Sequence, residues 1–245
     1  MRCSLKNLFL AVLCAAIGFT LLKAVQTAQR AALKMNSHSP LNQLSLALHN
    51  YHGVYGCFPP ACITDARGRP MHSWRILVLP YMEERPLYEN YDFNEPWDGP
   101  NNSLLAKQMP RMFHSPTEPQ SSEFTNIVAI SGDGTTFPSD RSTSLTDILD
   151  GPENTILLTE ISESEVPWLK PQDLDAANLA VGPPLAPELS ISAASWRRPM
   201  IVFADSIHAY TVQQGISIEE LRALTTIAGN ESTTKSKLLE QGDLR

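Results

Sequence analysis

The sequence predicts an α+β fold in which helical chain comes first and an antiparallel sheet follows. Helix formers dominate from Leu8 to Met35, and a second helical pattern runs from Ser39 to Gly53. Segments rich in β-branched residues then recur at 126–131, 154–161, 200–204 and 207–212, among Gly, Pro and Asp punctuation. Proline-rich stretches between them predict long loop insertions.

Leu8–Leu22 is an uncharged run of 15 residues, preceded by Arg2 and Lys6 and followed by Lys23. A helix needs about 20 apolar residues to cross a bilayer. Asn7 and Lys23–Val25 lengthen the run, because a lysine stem stays in lipid while its ammonium reaches the headgroups. A cleaved signal would end in small residues, and Leu22-Lys23-Ala24 is a poor cleavage site. Residues 8–25 are therefore expected to stay as a membrane anchor, with 1–36 forming anchor and stalk. A continuous helix from Leu8 to Met35 would be about 42 Å long.

The globular domain is placed at 37–230. Ser39 is an N-cap candidate with Pro40 at the first helical position, and Leu41, Leu44, Ala47, Leu48 and Tyr51 recur at helical spacing up to Gly53. A turn-rich stretch leads to the apolar segment Trp74–Tyr81. Short helical pieces follow at Arg85–Tyr91 and Ser103–Met109, separated by prolines. Asp205-Ser206 marks a hairpin between the last two strand segments. Leu174–Ala194 reads as a surface excursion, and Ser217 starts a helix over Ile218–Ala228. The polar tail, 231–245, is expected to be mobile.

All 26 acidic residues lie beyond Ser37, whereas Arg2, Lys6, Lys23, Arg30 and Lys34 precede it. A body this acidic repels phosphate backbones, so nucleic acid is not an expected partner; the basic leader suits a membrane surface. Cys57 and Cys62 bracket Phe58-Pro59-Pro60-Ala61, which leaves two outcomes open, a disulfide across the turn or two free thiols. His49 and His52 have a spacing seen in metal sites, but a helix-surface role is the leading reading. In the loop from Asp92 to Gly99, the oxygens of Asp92, Asn94, Glu95 and Asp98 are calcium candidates, although Pro96 breaks any EF-hand pattern. Glu160, Glu163, Glu165 and Asp173 surround Trp168 in sequence and read as solvated carboxylates. Trp74, Trp97, Trp168 and Trp196 read as packing residues. Nucleophile-elbow, phosphate-loop and zinc-helix motifs are all missing, so no enzyme activity and no cofactor are expected.

Several longer segments carry a resemblance: Leu41–Pro60 (LNQLSLALHNYHGVYGCFPP), Ser73–Glu84, Leu87–Asn102, Met112–Glu118, Thr125–Thr135, Asp150–Leu174 and Ile201–Val212. Across roughly residues 24 to 230 the chain resembles the bacterial family known as domain of unknown function 1559, whose members carry a prepilin-type N-terminus. The resemblance implies a pilin-like body, a long N-terminal helix packed on an antiparallel sheet, and export through the membrane. There are departures. Gly18-Phe19-Thr20-Leu21-Leu22-Lys23 mimics the family's processing site inside the apolar run, with Lys23 where glutamate is expected, and Ser37 and Ser115 stand where relatives often have cysteine. A cut after Gly18 would leave too little apolar helix, which favours an uncleaved anchor.

The expected function is that of a non-enzymatic, pseudopilin-like interaction component of a secretion or surface assembly. It would span the inner (cytoplasmic) membrane once, with its body outside, and bind unidentified protein partners or further copies of itself. The alternative is an extracytoplasmic binding module for a small molecule, a glycan or calcium.

Overall fold

A computed structural model describes residues 40–116, 118, 123–139, 141–180, 190–193 and 198–245. The expected anchor and stalk, Ser37 and Trp196 lie outside the described residues. The described chain begins with helix α1, residues 40–55. Leu41, Leu44, Ala47 and Leu48 are all buried along one side of it, as their spacing requires. Its end falls later than Gly53: Gly56 takes the left-handed conformation (φ 75°) and donates to the His52 carbonyl at 2.7 Å. Gly53 can continue the helix, and Gly56 supplies the positive φ at which a helix stops.

A two-stranded ribbon, β1 (Cys62–Thr64) and β2 (Pro70–Ser73), leads into the short helices α2 (Trp74–Leu77) and α3 (Arg85–Asn90) and a 3-10 segment at Asn102–Gln108. The main sheet is built from β3 (Ile127–Ser131), β4 (Ile156–Glu160), β5 (Leu174–Asp175), β6 (Met200–Phe203) and β7 (Ala209–Thr211), in the order β5-β3-β4-β6-β7. The pairs β3–β4, β4–β6 and β6–β7 are antiparallel as expected. β5 pairs parallel to β3, so the sheet is mixed rather than purely antiparallel. Helices α4 (Ile218–Ala223) and α5 (Lys235–Gln241) complete the chain.

Both faces of the sheet are covered, which explains strands with continuous apolar runs instead of alternation. Ile127 and Ala129 of β3, with Met200 and Val202 of β6, face α1 and the aromatic residues Phe58, Trp74, Phe113 and Trp168. Val128, Ile130, Ile201 and Phe203 face Leu221, Leu224, Leu238 and Leu244. An irregularity in β4 between Ile156 and Leu158 places Leu157 and Leu158 both on the α1 side.

Two expectations are corrected on the second face. The stretch after Leu174 is more than a surface excursion, because Leu174, Leu179 and Ile191 are buried there. The tail is not loose either: α5 buries Leu238, and Leu244 bridges to Val212. In both cases individual apolar side chains are almost fully buried, which favours holding the described chain around them against the sheet.

Candidate functional site

Polar residues on the inner side of α1 tie the helix to the β6–β7 turn. Ser45 Oγ donates to the Ser206 carbonyl at 2.7 Å, and Asn42 Oδ1 accepts from the Ala209 amide at 3.0 Å. His49 lies between the carbonyls of Ser45 (2.8 Å) and Ala204 (3.0 Å). His52 Nε2 accepts from the Leu145 amide at 3.1 Å, and burial, followed by the neighbouring His49, lowers its pKa. Both imidazoles are thus engaged with backbone, and among the described residues no group of three or more His, Cys, Asp or Glu could hold a metal ion.

At the far end of α1 the surface becomes aromatic. The rings of Tyr51 and Tyr55, one turn apart, lie 4.4 Å from each other, and Tyr51 meets Tyr81 at 5.9 Å. Tyr81 lies within electrostatic reach of Tyr55 and Tyr88. Tyr88 meets Phe93 at 5.5 Å, and Phe93 meets Tyr91 at 5.0 Å and His72 at 5.1 Å. Burial first, then Cys57 and the surrounding tyrosines, pushes the Tyr51 hydroxyl up to about 12. The Tyr91 hydroxyl is raised by burial and by Glu95 and Asp98; it sits 3.0 Å from His72 Nδ1, whose own pKa burial lowers.

The acidic loop borders these rings. Glu95 Oε1 accepts from the amides of Asn101 (2.8 Å) and Asn102 (2.6 Å), and Oε2 from Asn101 Nδ2 at 3.0 Å. The buried Asn102 amide donates to the carbonyls of Asp92 and Pro96. The Asp92 carboxylate accepts from the backbone and side chain of Asn94, which holds its pKa below the usual carboxylate range. The loop's oxygens therefore satisfy its own backbone, and Asp98 stays exposed. Trp97 is half-buried against the core, with its amide donating to the Met71 carbonyl.

The disulfide considered for Cys57 and Cys62 is not formed, and both are free thiols. Cys57 is directed at the Tyr55 carbonyl and Cys62 at that of Ile63, where burial raises its pKa. The Phe58 amide is held by the Thr143 carbonyl, so the intervening turn is anchored without a covalent link.

The carboxylates gathered in sequence around Trp168 are dispersed in space. Asp173 is buried against Arg75 at 2.7 Å and accepts from the Trp74 indole. Glu160 is buried, accepting from Ser115 Oγ at 3.2 Å, which gives the serine at 115 a hydrogen-bonding role. Glu163 and Glu165 are exposed. Trp168 itself is core, stacked on Phe113 and donating to the Ala106 carbonyl.

A further opening, a cleft of about 550 Å³, lies where β3 and β5 end, lined by Asp133, Ser139, Asp175, Arg222 and Thr225 among others. Gly132 shapes its rim: at φ 134° a side chain would be strained, and Ala176 and Asp175 pack close beside it. Sequence reading overlooked both this cleft and the aromatic surface. The signal for the second was present, since five of the chain's six tyrosines fall between Tyr51 and Tyr91.

A family model described as Protein of unknown function (DUF1559) matches residues 26–142. No curated protein and no solved structure matches the chain.

Proposed function

The chain belongs through residues 26–142 to the DUF1559 family, whose function is unknown, and from that premise we propose that it is a non-enzymatic, membrane-anchored interaction protein. Residues 8–25 hold it in the inner membrane, and the body stands on the extracytoplasmic side as a pseudopilin-like component of a secretion or surface assembly. The observation that carries this reading is the polarity of α1. In sequence the anchor segment precedes its Pro40 end, and the other end, about 22 Å away along the axis, bears the exposed Val54 and Tyr55. Large apolar side chains held in water at the end remote from the membrane suit a surface meant to be met by something else. The packing of α1 across antiparallel strands supports the pilin-like arrangement.

The test is fractionation of cells producing the full chain. Carbonate-washed membranes should retain it, and protease added to spheroplasts should digest the body. Release by carbonate, or protection of the body until the membrane is broken, would refute the proposal. The cleft beside Gly132 favours a second reading, an extracytoplasmic binding module for a small molecule. A sugar, an amino acid or calcium that raises the unfolding temperature in proportion to its concentration would support that reading instead.

A further inference from the structure

We infer that the aromatic and acidic surface formed by Tyr51, Tyr55, Tyr81, Tyr88 and Phe93 is a docking surface for a cation-rich polypeptide segment, whose Arg and Lys side chains lie over the rings with their charges against the bordering carboxylates. This rests on the reading of the body as an interaction domain and names its partner's chemistry.

Tyr51, Tyr81 and Tyr88 pack partly against the core, yet the surface they form with Tyr55 and Phe93 stays open to water. Tyr55 is 61% exposed, its neighbour Val54 65% and Phe93 36%, while Tyr51, Tyr81 and Tyr88 are half-buried. Such rings offer large, rigid contact area at low entropic cost, and a tyrosine keeps its hydroxyl wet until a partner arrives. Tyr51 and Tyr55 are in tilted ring contact and Tyr51 meets Tyr81 edge-on, so these rings hold one another in place before any encounter.

Charge selects the occupant. Between Tyr81 and Asp98 the chain carries Glu83, Glu84, Glu89, Asp92, Glu95 and Asp98 against Arg85 alone. Arg85 is engaged with Glu89 at 2.9 Å, and Glu95 is committed to Asn101 and Asn102. Glu83 and Glu84 follow Tyr81 closely in the chain, and Asp98 lies within electrostatic reach of Tyr91, beside Phe93. A neutral apolar partner would strip water from those carboxylates without replacing it. A guanidinium can stack on a tyrosine face and pair with a carboxylate at once.

The test uses the full-length chain in an uncharged detergent and a fluorescein-labelled peptide of alternating Arg and Ala, followed by anisotropy at about 0.15 M salt. Saturable binding is expected, weakened about tenfold by Tyr55→Ala combined with Tyr88→Ala. Tyr55→Phe, which keeps the ring, and Leu149→Ala, on an exposed leucine outside this surface, should bind as the parent does. Glu84→Gln should weaken binding without abolishing it. Three outcomes overturn the inference: no saturable binding, undiminished binding by the tyrosine variants (bulk acidity alone), or loss of chain self-association in those variants, which would make a second copy the occupant. A chain that stays in washed membranes yet fails this test leaves the anchoring proposal standing and removes only the docking surface.

Discussion

Around Asp173, a carboxylate 2% exposed meets the fully buried Arg75 guanidinium at 2.7 Å, the Trp74 indole at 3.2 Å and the Ala129 amide at 2.9 Å. Around Tyr88, carboxylates and rings of the same kinds face water, and the one ion pair, Arg85 with Glu89, is exposed on both sides. Arg75 Nη2 donates also to the Ile127 carbonyl, so the first region fastens α2 to β3 and to the chain leading into β5. Burial pulls the Arg75 pKa down, and Asp173 opposes that pull. Charge and aromatic surface hold the fold where they are enclosed; where they are open, as at Tyr55, their removal is expected to cost the fold little.

That comparison is most exposed to failure at Asp173. Asp173→Ala leaves a buried guanidinium without its counterion and should cost about 3–5 kcal/mol in urea unfolding. The double variant Arg75→Met with Asp173→Leu should cost less than the single one, since no charge is then stranded. Equal costs would show that the pair is not enclosed as described. Trp74→Phe removes the indole donor to a charged acceptor and some ring volume, for an expected loss of about 2 kcal/mol. Away from both regions, Ser217→Ala breaks the capping box with Glu220 at the start of α4 and should cost about 1 kcal/mol by the same measurement.

Acid separates the regions in another way. His52 and His72 have pKa values lowered from the ordinary 6.5, chiefly by burial. The unfolded chain therefore binds protons that the folded chain refuses. Their contribution is intact above about 6.5 and is lost as pH falls from there through the folded values. The unfolding temperature should drop between pH 7 and pH 5, and drop less in the His52→Gln, His72→Gln double variant. The smallest effect belongs to the open surface: Tyr55→Ala should change stability by no more than about 0.5 kcal/mol, and a larger loss would mean that its ring is structural.

Much of the fold was legible in the sequence. The helix face from Leu41 to Leu48 and the strands at 127–131, 156–160 and 200–203 follow from apolar periodicity and β-branched runs. The parallel strand β5 was not, because two residues in a polar stretch carry no periodicity of their own; the pairing with β3 creates it. α5 was missed for a related reason, since Leu238, Leu239 and Leu244 are few apolar residues in a polar tail and the burial of Leu238 and Leu244 depends on a sheet face formed elsewhere. Of the candidate site, the acidic loop was recognised by its residues, but its oxygens close the loop through Asn101 and Asn102, a pairing that single residues do not announce. The aromatic surface joins Tyr51 and Tyr55 of α1 to Tyr81 and Tyr88, and only tertiary packing brings those two stretches together.

The measurement that bears most directly on the central claim is the intact mass of the native chain recovered from washed membranes. A chain that still contains residues 8–25 is expected in that fraction and not in the soluble one. A chain beginning beyond Val25 and recovered in the soluble fraction would contradict it.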